Sequence, residues 1–144
     1  MAVVDAMSAA LVTVRPEDAV QVAIARMLEA EVGSVAVTDE GRLVGIFTER
    51  DVLRLAGQGS GFGELLVGEA MTRRLYTVEP DDDVLAAARL MQEKRIRHLP
   101  VIQDGNVLGI LGIREVLRAL VERLWSARDP AARETARDLL RRGA

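Results

Sequence analysis

A chain of 144 residues, 49% of them apolar, can bury the core of one ordinary domain or of two very small ones that share it. Its formal charge of −3 argues against general binding to nucleic acid, which needs a basic surface to displace counterions. The absence of cysteine excludes disulfides, thiol catalysis and cysteine-ligated metals, and a single histidine excludes a multi-histidine zinc site within one chain. Aromatic residues make up only 3%, so valine, leucine and alanine must do the packing. No apolar run approaches the ~20 residues that cross a bilayer, and Met1 to Val14 carries Asp5 and no basic leader. A soluble, cytoplasmic protein is the expectation.

The first predicted element is a short β-like piece, Leu11 to Val14, running into a proline that holds the preceding residue extended. Asp18 is a helix-start candidate. Beyond it Val20, Ala23, Ile24, Met27 and Leu28 recur at i, i+3, i+4, i+7 and i+8, forming one apolar helix face. Met27 reads as part of that core stripe and not as a cofactor contact. A strand from Ser34 to Thr38 follows, then the turn Asp39-Glu40-Gly41-Arg42, where glycine supplies positive φ, then a return strand from Leu43 to Phe47.

The stretch Gly45-Ile46-Phe47-Thr48-Glu49-Arg50-Asp51 leads from that buried strand into the next helix. Thr48 falls at the N-cap and Asp51 in the first turn. A helix start gathers free backbone N–H groups and a partial positive charge, which suits a phosphate, and Asp51 is an acceptor for both hydroxyls of a ribose. The same Thr-x-x-Asp spacing is close to a capping box, in which both side chains serve only the helix. The residues leave both readings open.

Gly57 to Gly63 reads as a linker. A shift of 64 residues then writes the chain again without a gap. It pairs Met7 with Met71, Pro16 with Pro80, Asp18 with Asp82, Met27 with Met91, Gly45-Ile46 with Gly109-Ile110, and Val52-Leu53-Arg54 with Val116-Leu117-Arg118. The second copy accordingly predicts a β-like piece from Leu75 to Val78 and a helix with Val84, Ala87, Ala88 and Met91 on one face. A hairpin from Leu99 to Leu111 turns at Gln103-Asp104-Gly105-Asn106. Each unit is β-α-β-β-α and too small to bury its sheet alone. The expected fold class is α/β (α+β): two repeats packed about a pseudo-twofold axis, plus a C-terminal helical extension. The expected division is repeat 1 at 1–57, linker at 58–64, repeat 2 at 65–122 and tail at 123–144.

In the tail, Val121, Leu124 and Trp125 prolong the last helix, and Asp129-Pro130 starts a new one. Ala132, Ala136, Leu139 and Leu140 share one side of it, and Arg141-Arg142 suits the negative pole at its end. Two readings stand side by side: a helix packed on its own chain or frayed in solvent, and a dimer or partner contact centred on Trp125.

The order of elements, the motifs Gly-Ile-Phe-Thr-Glu-Arg-Asp and Arg-His-Leu-Pro-Val-Ile, and the duplication together resemble the cystathionine-β-synthase (CBS) domain pair, or Bateman module, over roughly residues 1–122. The resemblance implies a regulatory module without chemistry of its own, binding an adenine nucleotide or a related adenosyl ligand between the repeats. By it, Asp51 would hold the ribose hydroxyls, Thr48 would face ribose or phosphate, and Val32-Gly33-Ser34 would line the adenine. Arg97 and His98 would reach across to the phosphate, a role that a planar, always-charged guanidinium fits. The 64-shift places Gly112 where Thr48 stands and Glu115 where Asp51 stands, with Gly33 and Ser34 opposite instead of Arg97 and His98. One competent site around Asp51 and a weak or empty second one around Gly112 and Glu115 are therefore expected.

The function expected is a sensor of AMP, ADP or ATP that changes repeat packing or dimer geometry on binding. The alternatives are a structural or protein-interaction module without a ligand, and a binder of another adenosyl ligand such as S-adenosylmethionine or NAD. No catalytic residue set is visible, and Asp81-Asp82-Asp83 sits at a helix start, where acids belong. Expected partners are the nucleotide as regulatory ligand, a second copy in a homodimer, and an unidentified effector protein. No metal, resident cofactor, nucleic acid or membrane is expected.

Overall fold

Two antiparallel hairpins, one per repeat, carry the fold of the computed structural model, which describes residues 1–8, 10–126 and 130–142. In the first repeat β1 (Thr13–Val14) runs parallel to β2 (Ser34–Asp39), and β2 pairs antiparallel with β3 (Arg42–Thr48). In the second, β4 (His98–Gln103) pairs with β5 (Asn106–Gly112), and the counterpart of β1 shrinks to a single parallel bridge between Val78 and Val101. Both hairpins turn through two consecutive residues of positive φ, Glu40-Gly41 (50° and 79°) and Asp104-Gly105 (52° and 79°). That is the primed-turn geometry that matches the strand twist, and glycine makes it inexpensive.

Helices α2 (Val20–Ala30) and α5 (Val84–Lys94) are the crossovers, each closed by a left-handed residue, Glu31 or Arg95. Their N-caps are Ala19 and Asp83, so Asp18 and Asp82 do not cap them. Each of those carboxylates instead accepts from a backbone N–H three residues earlier, Arg15 and Glu79, both at 2.8 Å, and shapes the turn entering the helix. The second helices are α3 (Glu49–Gly57) and the longer α6 (Ile113–Ser126).

Sequence periodicity missed two one-turn helices, α1 (Val3–Ala6) and α4 (Val67–Ala70), which cross between the repeats. Val67 and Gly68 donate to Asp18 O and Pro16 O, both at 2.8 Å, and Val67, Ala70 and Met71 fill the first core beside Phe47 and Val35. Reciprocally, Val3 and Val4 donate to Asp82 O and Pro80 O at 2.8 and 3.0 Å, and Val3 and Ala6 fill the second core beside Leu99 and Leu111. Each core is thus completed by the segment that opens the other repeat, and neither is contiguous in sequence. Close approach enforces the exchange at Gly45, where a Cβ would lie 2.5 Å from Met71 Sδ and 3.0 Å from Thr72 O.

The tail helix α7 (Pro130–Arg142) begins at Pro130 as expected; Asp129 lies outside the described residues. It folds back on α5 and α6, burying Thr135 and Ala136 and setting Leu139 against the second core. This is the own-chain packing of the two readings. The side chains of Trp125, Ala132 and Leu140 lie outside the described residues. Among the described residues no helix is long and apolar enough to cross a membrane.

Candidate functional site

Thr48 and Asp51 form a complete capping box at the start of α3. Asp51 Oδ2 accepts from the Thr48 backbone N–H at 2.9 Å and lies 3.4 Å from Thr48 Oγ1. Its other oxygen accepts from Thr72 Oγ1 at 3.0 Å and from Arg54 Nη2 at 3.4 Å, while Arg54 Nη2 also donates to Ala70 O at 2.8 Å. Asp51 is only 4% exposed, and both its oxygens are engaged. This carboxylate ties α3 to the crossing segment that follows α4.

A cleft of about 140 Å³ opens where the N-terminal ends of β2 and β4 meet. It gathers Val32, Gly33 and Ser34 from the first repeat with Arg97 and His98 from the second, and with Gly112 and Glu115 at the start of α6. Thr48 and Asp51 do not line it. Glu31, Glu49 and Glu115 share the cleft with Arg97 and His98; of the two acids at matched motif positions, Asp51 and Glu115, only Glu115 lines it, on the side that the sequence assigned to the weak site. Gly112 carries no side chain, and Ala10 and Val12 line the cleft where the other side of the pseudo-axis carries Arg74 and Tyr76. There the Tyr76 ring lies under two cations, Lys94 at 5.3 Å and Arg74 at 5.7 Å.

Two glycines set the walls. A Cβ on Gly33 would collide with the Glu49 carboxylate and lie 3.1 Å from His98 Nε2. A Cβ on Gly112 would lie 2.5 Å from Glu115 Oε2 and 3.6 Å from His98 Cδ2. His98 thus stands between the glycines of the two repeats. Symmetric backbone bonds flank it: Glu49 N–H to Gly33 O at 3.0 Å and Ile113 N–H to Arg97 O at 2.9 Å. Sequence reasoning did not assign Glu49 or Arg114 to the site. Both occupy the residue after an N-cap or the next one, so the helix starts at Thr48 and Gly112 were the available signal.

Burial is the main influence on His98 and holds its pKa below the ordinary 6.5. Arg97 and Arg114 push the same way, and Glu49 and Glu115 push back. The folded state therefore favours the neutral ring. Above the unfolded value of 6.5 this costs nothing; as pH falls through and below it, folding is increasingly penalised. The urea midpoint is expected to drop between about pH 7.5 and pH 5.5, and the drop to be smaller in His98→Gln.

The cleft is continuous with a wider groove of about 680 Å³ on the outer face of α2 and α3, sharing Glu31, Val32, Glu49 and Arg114 with it. Cleft and groove together present a backbone-rich wall, two arginines, one histidine and three carboxylates. Among the described residues no group of three or more histidine, aspartate or glutamate side chains could hold a metal ion.

The family model of the CBS domain matches residues 3–57 and again 67–122. The mitochondrial CBS domain-containing protein CBSX3 of Arabidopsis thaliana is 41% identical over 111 residues, which is 73% of this chain and 54% of that protein, so the chain spans about half of this relative. Among solved structures, CBSX2 in complex with AMP superposes with a TM-score of 0.73 at 32% identity, over 84% of this chain and 96% of that one. The CBS domain pair of MJ0100, in complex with 5′-methylthioadenosine and S-adenosyl-L-methionine, gives 0.79 at 26% identity, over 85% and 98%. Two repeats joined through exchanged segments and matched one by one to the same domain make this chain a tandem pair of the CBS-domain family.

Proposed function

We propose that this chain is a regulatory module that binds an adenosine-containing ligand, of the AMP, ADP or ATP kind, in the cleft between its repeats and turns nothing over. The observation that carries this reading is the convergence in one cleft of Val32-Gly33-Ser34 with Arg97 and His98. These are the two stretches whose resemblance pointed to base and phosphate. Gly33 gives a flat, backbone-lined wall for a base, and Arg97 and Arg114 are always-charged donors for a 5′-phosphate. Glu115, three residues after Gly112, takes the ribose role in place of Asp51. CBSX2 with AMP and MJ0100 with two adenosyl ligands support the ligand class.

The cleft's 140 Å³ falls short of the roughly 300 Å³ at which small-molecule sites begin. A nucleotide therefore enters by spreading into the groove or by parting the two repeats. In that case it binds the parted arrangement better than the closed one, and its differential affinity limits how far it shifts the population between them.

Thermal unfolding of the purified chain with AMP, ADP, ATP, S-adenosylmethionine or NAD tests this. A ligand at a hundredfold excess over its Kd adds about 2.7 kcal/mol, which raises the Tm by roughly 5–10 °C in a chain of this size. If none of the five moves the Tm, the module is structural and the proposal fails.

A further inference from the structure

We infer that Glu31 and Glu49, where the cleft opens into the groove, set the phosphate number of the ligand: they admit an adenosine compound with one phosphate or none and turn away polyphosphates. The inference rests on the ligand reading and narrows it. Of the charged residues lining the cleft, Arg97 and Arg114 are the guanidiniums, and Glu31, Glu49 and Glu115 are the carboxylates. His98 adds no charge above its ordinary 6.5, because burial favours the neutral ring. Carboxylates are therefore in excess, three against two. A single phosphate held by both arginines uses all the positive charge on offer. A second or third phosphate meets only acids.

The shape of the site puts those acids in the path of a longer ligand. Glu31, Val32, Glu49 and Arg114 line both the cleft and the groove, so they stand where one passes into the other. A nucleotide that outgrows the 140 Å³ cleft extends past this junction. Beyond it the groove is lined by Ile24, Met27, Leu28 and Val52, with no cation among the described residues there. A polyphosphate would be repelled at the junction and then lose water to an apolar wall, whereas an uncharged substituent would be favoured.

Nothing in the fold demands acids at these two positions. Glu31 is the left-handed residue that closes α2 at a φ of 55°, and Arg95 does the same for α5 at 56°. Glu49 opens α3, and its counterpart Ile113 opens α6. The same backbone positions thus carry an arginine and an isoleucine in the other repeat. Both glutamates are exposed, and among the described residues neither forms a salt bridge. Their charge is left to act on whatever enters.

Titration calorimetry of the full chain with AMP and with ATP tests this, at about pH 7.5 and about 50 mM salt without magnesium. AMP is expected to bind about tenfold more tightly, the size that two exposed carboxylates reach against added charge in a high dielectric. Glu31→Gln with Glu49→Gln removes both charges at nearly constant shape; ATP affinity is expected to rise about tenfold and AMP affinity by at most about threefold. Urea unfolding checks that the variant is folded, as expected for exposed sites. Glu29→Gln is the control: it is an exposed acid on the same helix that lines neither cavity, and it is expected to leave the ratio within about twofold. ATP bound as tightly as AMP by the unaltered protein overturns the selectivity and leaves the ligand reading standing. So does a ratio that the double glutamine variant leaves unmoved, or one that Glu29→Gln moves equally. Failure of both nucleotides to bind refutes the ligand reading and the selectivity with it.

Discussion

Replacing Gly33 with valine is expected to lower the affinity for AMP by about 100-fold, some 2.7 kcal/mol, and to leave the protein folded. Gly33 lines the cleft where a Cβ would meet the Glu49 carboxylate and lie 3.1 Å from His98 Nε2. Valine adds that atom and two more carbons in a cleft of only about 140 Å³. The fold survives because Glu49 is exposed and can swing into solvent, and because Gly33 has no positive φ that a side chain would strain. A stability cost of about 1 kcal/mol is expected, at the low end of overpacking. Titration calorimetry reads the affinity and urea unfolding reads the fold. A folded Gly33→Val protein that still binds AMP with its original affinity would place the ligand elsewhere.

Asp51→Ala is expected to cost about 3 kcal/mol of stability and to leave the AMP-induced thermal shift in place. The side chain is buried and receives the Thr48 N–H, the Thr72 hydroxyl and the Arg54 guanidinium. Alanine orphans all three donors at once, undoes the helix cap and frees the segment after α4 that completes the first core. Arg54 is partly exposed and finds water, which keeps the loss from being larger. Asp51→Asn retains an acceptor and is expected to lose roughly half as much. The shift is the decisive reading, because Asp51 does not line the cleft. A folded Asp51→Ala protein that has lost its response to AMP would return the ribose to the Thr48 crevice and displace Glu115 from that role.

Taken together the two substitutions separate what one motif could not. The Thr-x-x-Asp spacing is equally suited to a nucleotide and to a helix, because both want acceptors and N–H groups at the same helix start. In this chain the helix has claimed Asp51 through Thr48, and the exchanged segment has claimed it through Thr72. Glu115, one methylene longer and preceded by a glycine N-cap position, lies in the open cleft.

The sequence by itself determined the duplication, the β-α-β-β-α frame of each copy, the glycines of the hairpin turns and the helix cap at Thr48. All of these depend on residues within a few positions of one another: periods of two and 3.6, a glycine after a turn residue, an acid three places beyond a threonine. The resemblance to the CBS pair also singled out Val32-Gly33-Ser34 and Arg97-His98, which the fold brings to one cleft. Only the tertiary structure decided that Glu115 and not Asp51 lines the cleft with Arg97 and His98, that α1 and α4 trade cores, and that α7 packs on α5 and α6. These outcomes turn on the volume left between side chains far apart in the chain. Ala10 and Val12 against Arg74 and Tyr76, and Gly33 against His98, are differences of a few atoms that no local pattern registers but that a close-packed interior resolves.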